Sequence, residues 1–184
     1  SIQRRLPTEA HRLIELLVTT QTPVVCQVRG WAAGIGLHLV LASDFALVEE
    51  SARLWEPYSE RGFTPDTGAT WLLPRRVGEA RARQMLMLGQ AVTGSDAAAW
   101  GMVHKAVPAD GLTDETRSLV DRLAAAPTVT IGLTKWLLHA GSTAPLPEHL
   151  QNEALAMELS SRSEDFRDGL AAFKEKRPPN FSGR

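Results

Sequence analysis

The passage that most constrains this chain is Gly30-Trp31-Ala32-Ala33-Gly34-Ile35-Gly36. It directly follows a short apolar run, Val24 to Val28, closed by Arg29-Gly30, and it leads into the residues Leu37, Leu39, Val40 and Leu41. Apolar residues on both faces of 24–28 suit a strand buried inside an α/β or α+β layer. A strand that turns on glycine into a helix presents unpaired backbone N–H groups at the positive end of the helix dipole, where an anion can be held. The dinucleotide fingerprint is not met, because Leu39 stands where the third glycine after Gly34 and Gly36 should be. Small residues could also serve only to let helix and strand pack closely, and the passage by itself leaves both readings open.

Composition narrows the partners. The 184 residues fit one ordinary domain, and 43% hydrophobic content is enough to bury a core. Lys and Arg total 20 against 21 Asp and Glu, so no broad basic field attracts nucleic acid or an acidic membrane, and any bound anion must be met locally. The single cysteine, Cys26, excludes an internal disulfide; within its apolar run it reads as a buried structural thiol, which points to the cytoplasm. No apolar stretch approaches the roughly 18 residues of a membrane span, and Ser1-Ile2-Gln3-Arg4-Arg5 opens no signal peptide.

Periodicity predicts a first amphipathic helix over 7–19, on Ala10, Leu13, Ile14 and Leu17, and a second from Gly36 to just before Asp44, ended at Ser43-Asp44. Phe45 to Val48 reads as a strand and Arg53 to Phe63 as irregular, followed by a turn at Thr64-Pro65-Asp66. Thr67 to Arg75 and Glu79 to Leu88 read as two helices broken at Pro74 and Gly78; Thr93-Gly94-Ser95-Asp96 caps Ala97 to Trp100; Val103 to Val107 is a strand. The remainder is helical over 112–125, 128–139, 147–160 and 164–176, with Pro127 and Pro147 at helix starts. Leu150, Ala154 and Met157 share one face, and Phe166, Leu170 and Phe173 another, and each stripe needs a partner. The organisation expected is a strand-helix spiral over 1–110 followed by a helical region over 111–184.

Several passages in order carry a family resemblance. Pro23-Val24-Val25, the Gly-x-Ala-x-Gly-x-Gly core, Leu39 and Ala42-Ser43-Asp44 are the first; Gly62-Phe63-Thr64-Pro65-Asp66-Thr67-Gly68-Ala69-Thr70 with Leu73-Pro74-Arg75-Arg76-Val77-Gly78 the second. Leu88-Gly89, Thr93-Gly94, Ala97, Trp100-Gly101-Met102-Val103 and Val107-Pro108 follow, and Gly169-Leu170-Ala171-Ala172-Phe173, Glu175-Lys176-Arg177-Pro178 and Phe181 close the chain. Together they resemble the crotonase (enoyl-CoA hydratase/isomerase) superfamily. The resemblance implies an α/β (α+β) fold, a partial crotonase-like ββα spiral followed by a C-terminal helical trimerisation region. It also implies an acyl-CoA thioester as substrate, a homotrimer or dimer of trimers, no metal, and no cofactor beyond the coenzyme A of the substrate itself. The scattered His104, His139 and His149 offer no metal spacing either.

The resemblance also assigns roles. In the family an enolate oxygen is held by two backbone N–H groups, and the position of the second is Ile35 here; its side chain departs from the usual glycine and narrows the pocket, while its N–H remains. The two glutamates by which the family's hydratases position water are replaced by His38 and Tyr58, which puts ordinary hydration in doubt. Glu56 and Glu60 flank Tyr58, but alternation should point them away from it. The Pro-Asp-x-Gly context of Asp66 resembles the branch in which one aspartate shuttles a proton in double-bond isomerisation. His38, one helical turn past Gly34, could face the acyl pocket and exchange protons near neutral pH, and Tyr58 could donate a hydrogen bond to substrate. The plainer alternatives are that Asp66 caps the helix after it, that His38 is a satisfied interior histidine, and that Tyr58 covers the pocket rim.

Trp31, Ala33, Gly34, Gly36, Phe173 and Lys176 are expected to bind the substrate. Lys174, Lys176 and Arg177 form a basic helix end that the resemblance places near a coenzyme A phosphate bound largely by a neighbouring subunit and that could equally be solvated. The family has a further stretch before the first helix that supplies the first oxyanion N–H. Without it the site is expected to be incomplete. An isomerase is thus the leading expectation; a hydratase (lyase) with atypical residues and a non-catalytic acyl-CoA-binding or oligomerisation module are the alternatives.

Overall fold

A computed structural model describes residues 2–184. The N-terminal helical region is α1 (Ile2–Arg5), a 3-10 turn (Leu6–Thr8) and α2 (Ala10–Thr19). The helix expected from residue 7 therefore starts at Ala10, because Pro7 sits at the beginning of the tighter turn.

The chain then winds in repeating strand-strand-helix turns. The first comprises β1 (Val25–Val28), β2 (Trp31–Ala33) and α3 (Ile35–Ala42); the second β3 (Phe45–Glu49), β4 (Arg53–Trp55), a 3-10 turn (Ser59–Arg61) and α4 (Ala69–Leu88); the third β5 (Val92–Thr93), α5 (Gly94–Ala99) and β6 (Lys105–Val107). One sheet has the order β1-β3-β6 and is parallel throughout; the other has the order β2-β4-β5, with β2 and β4 parallel and β5 antiparallel to β4. Each of the first two turns gives one strand to each sheet. Parallel neighbours need a crossover, and α3 serves both β1 to β3 and β2 to β4.

Strand β4 lies in the segment expected to be irregular. Its three residues are recruited by non-local partners: Trp31 stands opposite Arg53 and Ala33 opposite Trp55, and the Arg53 N–H donates to the Gly30 carbonyl at 2.7 Å. The break in α4 falls at Gly78 alone (φ 76°, ψ 165°), while Pro74 is carried inside the helix. The Thr93 cap is as expected, its hydroxyl accepting the Asp96 N–H at 3.0 Å, although α5 already begins at Gly94. The sheets and helices close on one core, to which α3 contributes Leu37 and Leu41, β4 Leu54, and α4 Leu73 and Met85. Cys26 only packs against this core, half-buried, and the loss of water pushes its thiol pKa up.

The chain forms two compact units. The first includes Val24–Arg117 and the residues up to Val18; the second is Thr19–Pro23 with Ser118–Arg184. The second holds most of α6 (Leu112–Ala124) and all of α7 (Thr128–Gly141), α8 (Leu146–Ser161) and α9 (Glu164–Glu175), close to the expected spans. Within it Lys135 Nζ donates to the Thr22 carbonyl at 3.1 Å, and buried Asp165 accepts the N–H groups of Ser182 (2.7 Å) and Gly183 (3.0 Å), tying down the C-terminal tail. The Ser163 hydroxyl caps α9 by accepting the Phe166 N–H at 3.0 Å. Ser163→Ala is expected to lower stability by about 1 kcal/mol in urea unfolding. Among the described residues the apolar stripes of α8 and α9 stay uncovered: Leu150, Met157, Phe166, Leu170 and Phe173 are all exposed. No helix among the described residues is long and apolar enough to cross a membrane.

Candidate functional site

The glycine turn has the geometry that the local sequence only permitted. Gly34 has φ 53° and ψ −123°, a conformation essentially reserved for glycine, and its N–H donates to the Trp55 carbonyl at 3.0 Å. The next residue, Ile35, opens α3, and its N–H points outside the helix's own hydrogen-bond ladder with no acceptor among the described residues. Ile35 is itself exposed. This is one free donor at a helix N-terminus, on a rigid strand-to-helix turn.

Tyr58 stands against that turn. A Cβ built on Gly34 would lie 3.3 Å from the Tyr58 hydroxyl, which in turn donates to Asp66 Oδ1 at 3.0 Å. Asp66 is therefore one hydroxyl away from the glycine turn. Its Oδ1 also accepts the Thr67 hydroxyl at 2.9 Å, and Oδ2 has no partner among the described residues. Thr67 is buried and adopts a left-handed backbone (φ 50°), rare for a β-branched residue and a form of strain that gathers at functional sites. The capping alternative for Asp66 is overturned: α4 starts at Ala69 behind Gly68, with no side-chain cap. Tyr58 is neither a rim residue nor free to reach a ligand, since it is buried and committed to Asp66; burial and that hydrogen bond raise its phenol pKa above the ordinary value.

Behind Tyr58 lies a pair that the sequence reading missed. His38 and Glu56 are both 0% exposed, with His38 Nε2 at 3.2 Å from Glu56 Oε1 and hydrogen-bonded to Oε2 at 3.3 Å. The His38 ring is stacked on Tyr58, with centroids 5.8 Å apart and planes at 18°. The expectation that Glu56 turns away is thus wrong. Residues two apart in an extended segment share a face, so the alternation that runs on from Arg53–Trp55 puts Leu54, Glu56 and Tyr58 together on the buried side. Glu60 is the residue that does face outward. Burial raises the Glu56 carboxyl pKa above its ordinary value, and the bond to His38 opposes this only in part.

Of the other expected residues, Trp31 is exposed and packs edge-on against Trp55 at 5.9 Å, Ala33 is half-buried opposite Trp55, and Gly36 lies in the first turn of α3. Phe173 and Lys176 belong to the second unit, where Phe173 is exposed and Lys176 ends α9 in a left-handed conformation. Arg177 is engaged by Asp168 and Glu175, both at 2.7 Å, so the basic helix end is not a set of idle cations. Among the described residues no group of three metal-ligating side chains comes together.

Comparison with known proteins matches this geometry to a family. The profile described as enoyl-CoA hydratase/isomerase matches residues 3–184. The chain is 36% identical over its whole length to a "Probable enoyl-CoA hydratase" of Rhodobacter capsulatus, of which it covers 72%. It is 38% identical over 94% of its length to the 1,2-epoxyphenylacetyl-CoA isomerase of Escherichia coli, of which it covers 66%. Among solved structures, the enoyl-CoA hydratase of Bacillus anthracis superimposes with a TM-score of 0.93 at 30% identity, over 98% of this chain and 70% of that one. The chain thus spans about two thirds of the length of these relatives. It belongs to the enoyl-CoA hydratase/isomerase, or crotonase, family and has that family's α/β fold.

Proposed function

We propose that this protein moves a carbon-carbon double bond in an acyl-CoA thioester, with Asp66 as the single proton shuttle and the Ile35 N–H as a donor to the enolate oxygen. The carrying observation is that Asp66, with Oδ2 uncommitted, lies one hydroxyl from the glycine turn that exposes this N–H. In a 3-enoyl thioester the carbon next to the carbonyl loses its proton to Oδ2, and the electron pair moves onto the thioester oxygen. The dienolate is held by the amide donor; one such donor contributes about 2.7–4 kcal/mol in comparable sites. Asp66 then returns the proton to the far carbon, giving the conjugated 2-enoyl product.

Hydration is less well supported. Holding a water needs free carboxylates at the site, whereas His38 and Tyr58 occupy the hydratase positions and Glu56 is sealed behind them. In this reading Trp31, Ala33, Gly34 and Gly36 meet the substrate of their own chain, and Phe173 and Lys176, in the second unit, meet a coenzyme bound largely by a neighbouring subunit. The uncovered stripes of α8 and α9 support self-association as a trimer or dimer of trimers. To test the activity, the protein is incubated with a 3-enoyl-CoA and, separately, a 2-enoyl-CoA while conjugation absorbance is followed. Gain of absorbance from the first substrate, lost in Asp66→Asn, is the expected result. Turnover only of the second, with loss of absorbance, would establish a hydratase instead, and turnover of neither by the full-length protein would favour a binding module.

A further inference from the structure

The mechanism above makes no use of the buried His38–Glu56 pair, yet that pair is difficult to explain as a stabilising feature. Apolar side chains of similar volume in place of a buried ion pair are often neutral or stabilising. Around His38, helix α3 is otherwise apolar, with Leu37, Val40 and Leu41 in the core. His38 Nδ1 is buried and has no partner among the described residues, so the imidazole is incompletely satisfied. The raised Glu56 carboxyl points the same way: folding disfavours its ionised form, so stability contributed at low pH is lost as pH rises through the raised value.

We infer that the His38–Glu56 pair is a positioning device: Glu56 fixes the plane of the His38 ring, that ring carries the Tyr58 phenol on its face, and the phenol hydroxyl pins Asp66 by Oδ1, leaving Oδ2 to the substrate. The inference rests on the reading of Asp66 as the proton shuttle. The contacts are continuous. Glu56 bonds to His38, His38 stacks on Tyr58, Phe63 closes on Tyr58 edge-on at 5.2 Å, and Tyr58 donates to Asp66. With Gly34 against its hydroxyl, the phenol has a face, an edge and its oxygen all held. None of the supporting groups touches the reacting carbons; they act through the ring. The hydratase positions have in this way become the mount for a different carboxylate.

Tyr58 is the only tyrosine of the chain, so the phenolate band in the near ultraviolet reports on this one ring. In the parent protein the band should appear only well above the ordinary phenol value of about 10. Two paired replacements remove the buried polar pair while keeping the core filled. His38→Leu/Glu56→Leu takes away the flat platform, and its phenol should titrate closer to the ordinary value. Its kcat for isomerisation should fall about tenfold or more, with KM little changed, as for a misplaced reacting group. His38→Phe/Glu56→Leu restores a flat ring and should recover both readouts in part, and Glu56→Gln, which keeps an acceptor for the His38 N–H, should retain the raised titration. If the doubly leucine variant titrates like the parent, or the phenylalanine variant shows no recovery, the positioning role is overturned. Isomerisation surviving Asp66→Asn would instead sink the proton-shuttle reading, while the phenol titration still judges the support.

Discussion

Gly94→Ala is expected to cost about 4 kcal/mol or more, in the range of severe overpacking, and to leave little folded protein at 37 °C. A Cβ at Gly94 would lie 2.0 Å from the Glu49 carbonyl oxygen and 3.0 Å from Val48 Cγ2. Neither side can give way. The Gly94 N–H is bonded to the Ala52 carbonyl at 2.8 Å and the next N–H, of Ser95, to the Glu50 carbonyl at 3.2 Å, so the backbone is pinned where it meets β3. Val48 is itself fully buried in the central strand of the parallel sheet. Urea unfolding of Gly94→Ala against Ser95→Ala, whose side chain is exposed, checks this. A cost for Gly94→Ala below about 1 kcal/mol would contradict the close approach.

The second large effect is on turnover. Asp66→Asn is expected to lower kcat for 3-enoyl-CoA isomerisation by about 10²–10⁴-fold, the range for loss of a positioned acid-base group. The fold should tolerate it. An asparagine carbonyl oxygen can still accept the Tyr58 and Thr67 hydroxyls that now meet Oδ1, so the unfolding midpoint should move little. What asparagine lacks is a basic Oδ2. Conjugation absorbance gives the rate and urea unfolding the stability; a fall in kcat below tenfold with the fold intact would remove Asp66 from the chemistry.

How far the chain could be read in advance depended on the range of the interactions involved. The C-terminal helices were legible because an apolar stripe at helical spacing, or a proline at a helix start, is a property of neighbours in sequence. The strand-to-helix turn was legible for the same reason, although the helix begins at Ile35, one residue before the Gly36 start expected. Strand β4 was not. Three residues, Arg53-Leu54-Trp55, carry almost no periodic signal, and they extend because β2 lies alongside. Glu56 was misplaced because residues two apart do not face apart: along this extended segment Leu54, Glu56 and Tyr58 share the buried side.

Asp66 shows the same divide at the site. Locally, an aspartate before Thr67 and Gly68 looks like a cap; in the fold its carboxylate is taken by the hydroxyl of Tyr58, eight residues back, and by that of Thr67 on a left-handed backbone. Gly94 read as part of a helix cap, and the cap is real, but its intolerance of a side chain comes from a carbonyl 45 residues earlier. Sequence alone therefore determined which segments could be helix, which turn required glycine, and which residue types were available for acid-base chemistry. Tertiary structure alone decided which carboxylate is presented and which is buried. Burial and the choice of hydrogen-bond partner are set by contacts between segments far apart along the chain, and local propensity does not encode those contacts.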